Sequence, residues 1–360
     1  ILSTFSRRPT FGYTAMVLSL VAIGFLAFGL WVHHMFATNL PELGKAFFTA
    51  ASILIAVPSA VQIFCWLATL RGGRLVLRTP MLYALSFFFI LVLGGMTGLM
   101  LASVSLDSQL HDTYFVVAHL HYVLIGGAVF PLFGALYYWY PKFTGRLMHE
   151  GMGRLSFWLM FAGFNVAFFP MHWLGLQGMP RRVYTYQAGM GWDAMNLLAT
   201  VGSVTVAVGI LLTLANALRS GRRGEMAGPD PWGAGTLEWA TASPPTPANF
   251  HVVPVVHGAY PLWEPAPAGQ PVHVSGLSAV TREHLVTTVL DAQLDHRTLF
   301  PEPSYWPFIA AVATTAMFVG LVFTPWAVVW FSAPVALAGT IWFWPRRAHV
   351  AESLALQRSP

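Results

Sequence analysis

Charged side chains are scarce in this sequence. Asp, Glu, Lys and Arg make up 9% of the 360 residues, whereas hydrophobic residues make up 56%. A chain so poor in charge cannot cover a water-facing surface with polar groups in the usual proportions. The mean hydropathy of +0.60 agrees with this. The composition therefore predicts a membrane protein.

Cysteine is almost absent as well. The only one, Cys65, lies inside an apolar stretch. A single cysteine excludes an intrachain disulfide and any zinc or iron–sulfur site built from several cysteines. A metal bound by this chain must therefore be held by histidine or carboxylate.

Apolar stretches near the roughly twenty residues that a membrane span needs recur eight times. Because backbone groups in lipid must satisfy their own hydrogen bonds, these stretches predict an all-α, polytopic transmembrane bundle. Residues 1–218 would hold six spans and residues 305–345 the last two. The predicted spans cover about residues 13–37, 44–70, 81–104, 114–139, 153–176, 193–217, 305–323 and 326–344.

A polar region rich in Pro and Gly, residues 219–304, separates the sixth and seventh spans. It is predicted to be mostly irregular loop. Within it, TREHLVTTVLDAQLDHR fits either a short helix or a strand, and its periodicity does not decide between them. Residues 346–360 are predicted to form a tail.

The basic residues are grouped in short clusters at alternate span ends. Positive residues collect in cytoplasmic loops, so both ends of this chain and the 219–304 loop are predicted to lie on the cytoplasmic side of the membrane. This distribution also argues against nucleic-acid binding. The clusters contain Arg7 and Arg8; Arg71, Arg74 and Arg78; Lys142, Arg146 and Arg154; Arg219, Arg222 and Arg223; Arg346 and Arg347.

One basic pair breaks the pattern. Arg181 and Arg182, in GMPRRVYTY, fall on the predicted outer side, where few positive charges are expected. Two adjacent arginines there predict a negatively charged partner at the membrane surface. A lipid phosphate or an ordinary loop contact is the alternative explanation.

Four histidines lie inside predicted spans: His33 and His34 in WVHHMF, and His119 and His121 in VVAHLHYVL. Both pairs lie near the outer ends of their spans and so at a similar depth. Adjacent helix positions differ by about 100°, so His33 and His34 can approach one centre; His119 and His121 differ by about 200° and point to opposite faces.

This geometry predicts a metal between the first and fourth spans, approached by His33 and His34 with His119 opposite, and a second centre reached by His121. Imidazole suits both copper and haem iron. For any one intramembrane histidine, a hydrogen bond to a neighbouring helix is the alternative. His172, near the end of the fifth span, is a weaker candidate.

His111 and Asp112 lie just outside the fourth span. A carboxylate beside an imidazole could hold a divalent ion with oxygen and water ligands. The alternative is a helix cap, because Asp112 or Thr113 before an apolar run is a good N-terminal signal.

Several stretches resemble subunit I of the cytochrome c oxidases of the haem–copper superfamily. FGYTAMVLSLVAIGFLAFGLWVHHMF, LHDTYFVVAHLHYVL and FFPMHWLGLQGMPRR are similar to the seventh, tenth and eleventh helices of that family, and DPWGAGTLEW to the segment after the twelfth. The resemblance covers about residues 1–245. It implies that the first six helices precede this chain, which we expect to be a fragment that cannot turn over oxygen alone.

The resemblance implies two haems of A type, copper, and magnesium or manganese. His33 and His34 would bind copper, His119 the high-spin haem iron and His121 the low-spin haem iron. Arg181 and Arg182 would hold haem propionates. A further metal site would consist of His111 and Asp112, completed by a carboxylate from subunit II.

The implied activity is reduction of dioxygen to water, coupled to proton translocation. The implied partners are lipid, oxidase subunits II and III, and cytochrome c or a fused cytochrome c domain as electron donor. The chain departs from the family at two positions of a proton-uptake path. Gln62 stands where many relatives have a lysine, and Ser59, one turn earlier, replaces a threonine. A glutamine can hydrogen-bond water but cannot carry a charge at neutral pH.

Three alternatives remain open from the sequence. A quinol oxidase or a nitric oxide reductase of the same superfamily would share the histidines. A transporter that uses the histidines as a proton relay would also place them inside the membrane. A purely structural membrane anchor would leave the histidines and Arg181–Arg182 unexplained.

Overall fold

The computed structural model describes residues 1–246, 250, 252–264, 266–270, 272–274, 283–291, 293–299 and 303–343. It divides into two compact units. Ile1–Pro245 and His257–Pro265 form the first, and Thr246–Val256 and Ala266–Pro360 form the second. The predicted tail, residues 346–360, lies outside the described residues.

The first unit is helical. A 3₁₀ segment at Trp31–Met35 follows the second helix, a π-helical segment at Tyr122–Val129 joins the seventh helix to the eighth, and a 3₁₀ turn covers Leu237–Ala240. The α-helices are α1 Leu2–Ser6, α2 Tyr13–Leu30, α3 Glu42–Leu54, α4 Ala56–Leu70, α5 Thr79–Ala102, α6 Val104–Leu110, α7 Tyr114–His121, α8 Phe130–Thr144, α9 Glu150–Leu176 and α10 Asp193–Arg223.

Within the described ranges, six helical segments are long and apolar enough to cross a membrane. They coincide with the first six predicted spans, so the predicted polytopic helical bundle is confirmed. The last of these six segments, α10, continues to Arg223, beyond the predicted span end at residue 217. The segments are Tyr13–Met35, Glu42–Leu70, Thr79–Ala102, Tyr114–Thr144, Glu150–Leu176 and Asp193–Arg223.

The second unit contains α11, Trp306–Leu321, and α12, Ala327–Phe343, which pack against each other. At 16 and 17 residues, both are shorter than a typical span, so their crossing of a membrane stays a prediction. The ambiguous stretch is a hairpin. Its strands, β1 Glu283–Thr287 and β2 Leu294–Leu299, are antiparallel, with an irregularity between Val286 and Thr287.

Small residues let α9 and α10 approach closely. A Cβ placed on Gly163 would lie 2.9 Å from the carbonyl oxygen of Gly202, and a Cβ on Gly209 would lie 2.6 Å from Cγ of Met160. In a membrane, such close packing replaces the hydrophobic effect as the force that holds helices together. The α9–α10 pair is therefore tightly fixed.

The π-helical segment packs onto α5 through Gly126. A Cβ at this position would overlap Cγ2 of Ile90 on α5, and the Ile90 side chain is fully buried. An extra residue in a helical turn is typical of π segments at functional sites. The segment begins directly after His121 and so adjoins the helix that carries two of the four histidines.

Candidate metal centre

His33 and His34 lie in the 3₁₀ segment at the end of α2. The predicted first span is α-helical only as far as Leu30, so the expected turn of about 100° between the two histidines is nearer 120°. Their rings remain neighbours, with centroids 4.4 Å apart. Nδ1 of His33 lies 3.0 Å from Oγ of Ser52 on α3, which leaves its Nε2 available as a ligand.

His119 faces α5. Its Nδ1 lies 3.1 Å from the carbonyl oxygen of Gly94 and 3.2 Å from Oγ1 of Thr97. A carbonyl oxygen only accepts, so Nδ1 carries the proton and the Nε2 lone pair is free. The ring has room because a Cβ on Gly98 would lie 2.9 Å from its Cε1 atom. Bulk at residue 98 would displace the imidazole.

His121 faces α9. Its Nδ1 lies 2.7 Å from the carbonyl oxygen of Val117, one turn earlier in the same helix. Its ring stacks on Phe168 of α9, with centroids 4.1 Å apart. The rings of His119 and His121 therefore face different helices, and both keep Nε2 free of these hydrogen bonds.

The donor set fits haem iron. A ligating histidine usually gives its Nδ1 proton to a carbonyl or carboxylate, which fixes the tautomer and orients the ring. His119 and His121 both have this arrangement. In the part of the chain that the structure describes, no three His, Cys, Asp or Glu side chains are grouped to hold one metal. His33 and His34 are therefore a pair of candidate copper ligands without a third from the described residues.

The arginine pair lies beside the start of α7. The backbone N–H of Arg181 donates to the carbonyl oxygen of Asp112 at 2.8 Å, and that of Tyr114 donates to Met179 at 2.9 Å. The Arg181 guanidinium contacts the Asp112 carboxylate, and Nη1 of Arg182 lies 4.0 Å from it. The negatively charged neighbour of the arginine pair within this chain is thus Asp112.

Arg181 nevertheless keeps a donor for a further anion. Its Nε is buried and has no hydrogen-bond partner among the described residues. A buried N–H left unpaired costs about 1–3 kcal/mol. An acceptor oxygen supplied by a bound group, such as a propionate, would remove that cost, so Arg181 fits the predicted role.

His111 lies between two carboxylates. Its Nδ1 is 3.2 Å from Oδ2 of Asp107, and its Nε2 is 3.8 Å from Oδ2 of Asp112. Asp107 on α6 is only 5% exposed. Burial raises the pKa of the Asp107 carboxyl, and His111 partly opposes this. Asp107 was not among the predicted site residues, although its spacing of four residues from His111 could have revealed it.

Thr113 is the N-cap of α7. Its side chain accepts a hydrogen bond from the backbone N–H of Phe115 at 3.2 Å. The capping alternative is therefore confirmed for Thr113. The Asp112 carboxylate instead faces Arg181 and His111.

Ser59 and Gln62 lie on α4. The Ser59 hydroxyl donates to the carbonyl oxygen of Ile55 at 2.9 Å. Gln62 is 7% exposed, and its Nε2 has no partner in the ranges the structure covers. Gln62 is therefore a buried amide with a free donor.

His172 packs against the segment that carries His119 and His121. Its ring lies 5.1 Å from that of Phe115 and 5.3 Å from that of Tyr122, centroid to centroid. Its buried Nε2 has no hydrogen-bond partner among the residues that can be described.

One residue of the basic clusters is not on the surface. Lys142, in the last turn of α8, is 5% exposed and donates to the carbonyl oxygens of Pro229, Thr241 and Ala242 at 3.0, 2.8 and 3.4 Å. Its ammonium also lies 5.1 Å from the ring centroid of Trp239. Lys142 therefore holds the segment that follows α10 against the bundle.

The chain matches known proteins over most of its length. Residues 1–205 match the family described as cytochrome C and quinol oxidase polypeptide I. Cytochrome c oxidase subunit 1 of Bacillus subtilis is 48% identical over 270 residues, which cover 75% of this chain and 43% of that protein. Quinol oxidase subunit 1 of Bacillus spizizenii is 46% identical over 260 residues, 71% of this chain and 40% of the relative.

The fold is also known. A haem–copper terminal oxidase dimer solved by cryo-electron microscopy aligns with a TM-score of 0.54 and 18% identity, over 62% of this chain and 45% of that one. This chain spans less than half the length of the curated relatives described above. Because the family match covers more than half of its residues, the chain belongs to the cytochrome c and quinol oxidase polypeptide I family, and it is a multi-pass integral membrane protein.

Proposed function

We propose that this chain forms part of the catalytic subunit of a terminal respiratory oxidase. The complex would reduce dioxygen to water with electrons from cytochrome c, or from a fused cytochrome c domain. The observation that carries this proposal is the pair His119 and His121. Each imidazole commits Nδ1 to a carbonyl oxygen and leaves Nε2 free, and the two rings face different helices.

In this proposal His119 would hold the high-spin haem and His121 the low-spin haem, while His33 and His34 would hold copper. When bound, the two haems, proposed to be of A type, and the copper would supply the electron-transfer and oxygen chemistry. The protein would set ligand orientation. Gly94 and Val117 would fix the tautomers of the two haem ligands through their carbonyl oxygens.

Arg181 and Arg182 would hold haem propionates, and His111 with Asp112 would hold magnesium or manganese. The unpaired Nε of Arg181 supports the first assignment. The position of His111 between two carboxylates supports the second, with further oxygen ligands from subunit II. Subunits II and III and membrane lipid would be the remaining partners.

Proton translocation is part of the proposal, by a path that uses no lysine at residue 62. The buried Nε2 of Gln62, which has no partner among the described residues, supports a role in binding water. The amide of Gln62 cannot take up a proton at neutral pH. A water molecule bound to it would therefore have to transfer the proton. Replacing Gln62 by Leu should therefore slow proton uptake more than replacing it by Asn. Equal rates in the two variants would place the path elsewhere.

The proposed location is the plasma membrane of a bacterium, with both chain ends and the 219–304 loop in the cytoplasm. One observation supports a common side for the N-terminal end and the start of the 219–304 loop. Arg7, Arg78 and Arg219, from three separate basic clusters, line one cleft.

Quinol is the second candidate donor, because a quinol oxidase subunit 1 is 46% identical to this chain. Turnover of the purified complex with reduced cytochrome c and with a quinol would decide between the donors. Iron in place of copper would instead favour a nitric oxide reductase. Family membership favours all of these over a proton-relay transporter.

The test of the proposal is a reduced-minus-oxidised visible spectrum of the complete complex. We expect two haem populations, loss of the low-spin band in His121→Ala, and loss of the high-spin haem alone in His119→Ala. The matched control is His149→Asn, because asparagine can replace His149 as the N-cap of α9. Absence of haem bands from the wild type, or an unchanged low-spin band in His121→Ala, would refute the assignment.

A further inference from the structure

A cleft opens at one end of the first unit, where the ends of several helices meet. It lies between the end of α1, the starts of α5 and α9 and the end of α10, and its volume is about 580 Å³. Phe5, Met148 and Trp232 contribute apolar wall. The lining contains none of His33, His34, His119 and His121, so the proposed oxidase chemistry does not use the cleft.

Four arginines line this cleft: Arg7, Arg78, Arg219 and Arg223. Arg7 is occupied, because its Nη1 donates to the carbonyl oxygens of Trp232 and Gly233 at 2.5 and 2.6 Å. The guanidinium groups of the other three have no hydrogen bond or ion pair with any residue that the structure describes. Three unpaired positive charges therefore converge on one concave surface.

The two carboxylates of the lining, Glu150 and Glu225, offset only part of the charge of its four arginines. Glu150 accepts from the backbone N–H of Thr79 at 3.0 Å and from Nε of Arg154 at 2.9 Å, so it is already paired. Glu225 is the other acidic residue of the lining. Nearby Arg146 donates to the carbonyl oxygen of Gly224 at 2.7 Å. Four arginines against two carboxylates leave the lining with an excess of positive charge, and Arg78, Arg219 and Arg223 have no side-chain partner among the described residues.

The floor of the cleft is held by a polar network. The backbone N–H of His149 donates to Oδ1 of Asn216 at 3.1 Å and to Oγ of Ser220 at 3.2 Å. The Ser220 hydroxyl, 1% exposed, also donates to Oδ1 of Asn216 at 3.0 Å. These bonds tie the start of α9 to the end of α10. The backbone that carries Arg219 and Arg223 is therefore fixed relative to the opposite wall.

We propose that this cleft binds the phosphate group of an anionic ligand. Guanidinium groups match phosphate oxygens in paired hydrogen bonds, and arginine is the usual choice where such recognition is needed. The phosphate would lie among Arg78, Arg219 and Arg223, with the less polar remainder against Phe5 and Trp232. Phosphate can come from an acidic lipid headgroup, since the cleft lies at the ends of spans, or from a soluble phosphate compound.

The test uses the complete complex, purified in detergent, with two probes. Inorganic phosphate binding is measured by equilibrium dialysis with labelled phosphate. Lipid binding is measured by native mass spectrometry after exchange into phosphatidylglycerol or phosphatidylcholine. The variant is Arg219→Gln with Arg223→Gln. The control is Arg74→Gln with Arg222→Gln, which removes the same charge from two exposed arginines outside the cleft.

The expected result is a loss of about tenfold or more in phosphate affinity, in phosphatidylglycerol retention, or in both, in the cleft variant alone. Loss with the lipid only identifies a headgroup, and loss with inorganic phosphate only identifies a soluble ligand. Unchanged binding of both probes, or an equal loss in the control variant, would overturn the proposal. If the double variant does not fold, Arg78→Gln on the opposite wall gives the same comparison.

Discussion

The imidazole of His121 stacks on the ring of Phe168, with centroids 4.1 Å apart and planes inclined by 14°. The hydrogen bond from Nδ1 to the carbonyl oxygen of Val117 fixes one edge of the imidazole, and the stack fixes its plane. Both contacts come from this chain. The orientation of the proposed low-spin haem ligand is therefore set before a haem binds.

Replacing Phe168 by Leu should release this orientation while nearly preserving volume. We expect a broadened or shifted low-spin haem band and a loss of about 0.5–1.5 kcal/mol in unfolding free energy, the usual contribution of an aromatic stack. The band is measured by visible spectroscopy and the stability by denaturant titration of the complex. Phe143→Leu, at an exposed position on α8, is the control and should change neither. An unchanged spectrum in Phe168→Leu would show that the stack does not orient His121.

Gly126→Ala should be costly, because the added methyl group would overlap Cγ2 of Ile90. Overpacking a buried contact typically costs about 1–3 kcal/mol. Ile90→Ala opens space at that contact, so the double variant should be destabilised by less than the sum of the two single changes. Denaturant titration of the four proteins gives this coupling. The control is Gly95→Ala, since a Cβ there meets nothing within 4 Å.

Lys142→Met should free the segment after α10. The change removes donors from the carbonyl oxygens of Pro229, Thr241 and Ala242 and leaves those in buried positions unpaired. Each unpaired buried group costs about 1–3 kcal/mol, and only Thr241 of the three acceptor residues is buried, so we expect a total of about 1–3 kcal/mol. Hydrogen exchange should accelerate at residues 229–242. Lys45→Met removes only an exposed pair with Glu42 and should cost less than about 1 kcal/mol.

Much of the helical layout could be predicted, because the length of an apolar run is a local property of the sequence. The opposite directions of His119 and His121 also followed from helix periodicity alone. Their partners did not. The carbonyl oxygen of Gly94 and the ring of Phe168 lie on other helices, and no local pattern indicates which helices become neighbours.

The remaining differences have tertiary causes. The 3₁₀ segment that carries His33 and His34 and the π-helical segment after His121 are departures from regular helix that periodicity does not reveal. Lys142 looks like a loop charge in sequence, yet its acceptors lie some 90 to 100 residues away. The contact between Asp107 and His111 could have been predicted, because a spacing of four residues on a helix places the two side chains side by side.

A pH dependence follows from the burial of Asp107. Burial raises the pKa of this carboxyl above its value in the unfolded chain, so the folded protein takes up the proton first as pH falls. A group with a raised folded pKa contributes its full stability below the unfolded pKa, near 4, and loses it as pH rises through the folded value. The stability of wild type relative to Asp107→Asn should therefore increase as pH falls from neutral toward about 4.

Thermal melting of the complex at a series of pH values measures this difference, because asparagine has the shape of aspartate but does not titrate. Glu42→Gln is the control, since the Glu42 side chain is 89% exposed and should give a nearly flat difference from wild type. A wild-type advantage over Asp107→Asn that shrinks as the solution is acidified would contradict the expectation. That outcome would mean that hydrogen bonding to His111, rather than burial, has the larger effect on the pKa of the Asp107 carboxyl. Asp107 would then stabilise the fold as an anion.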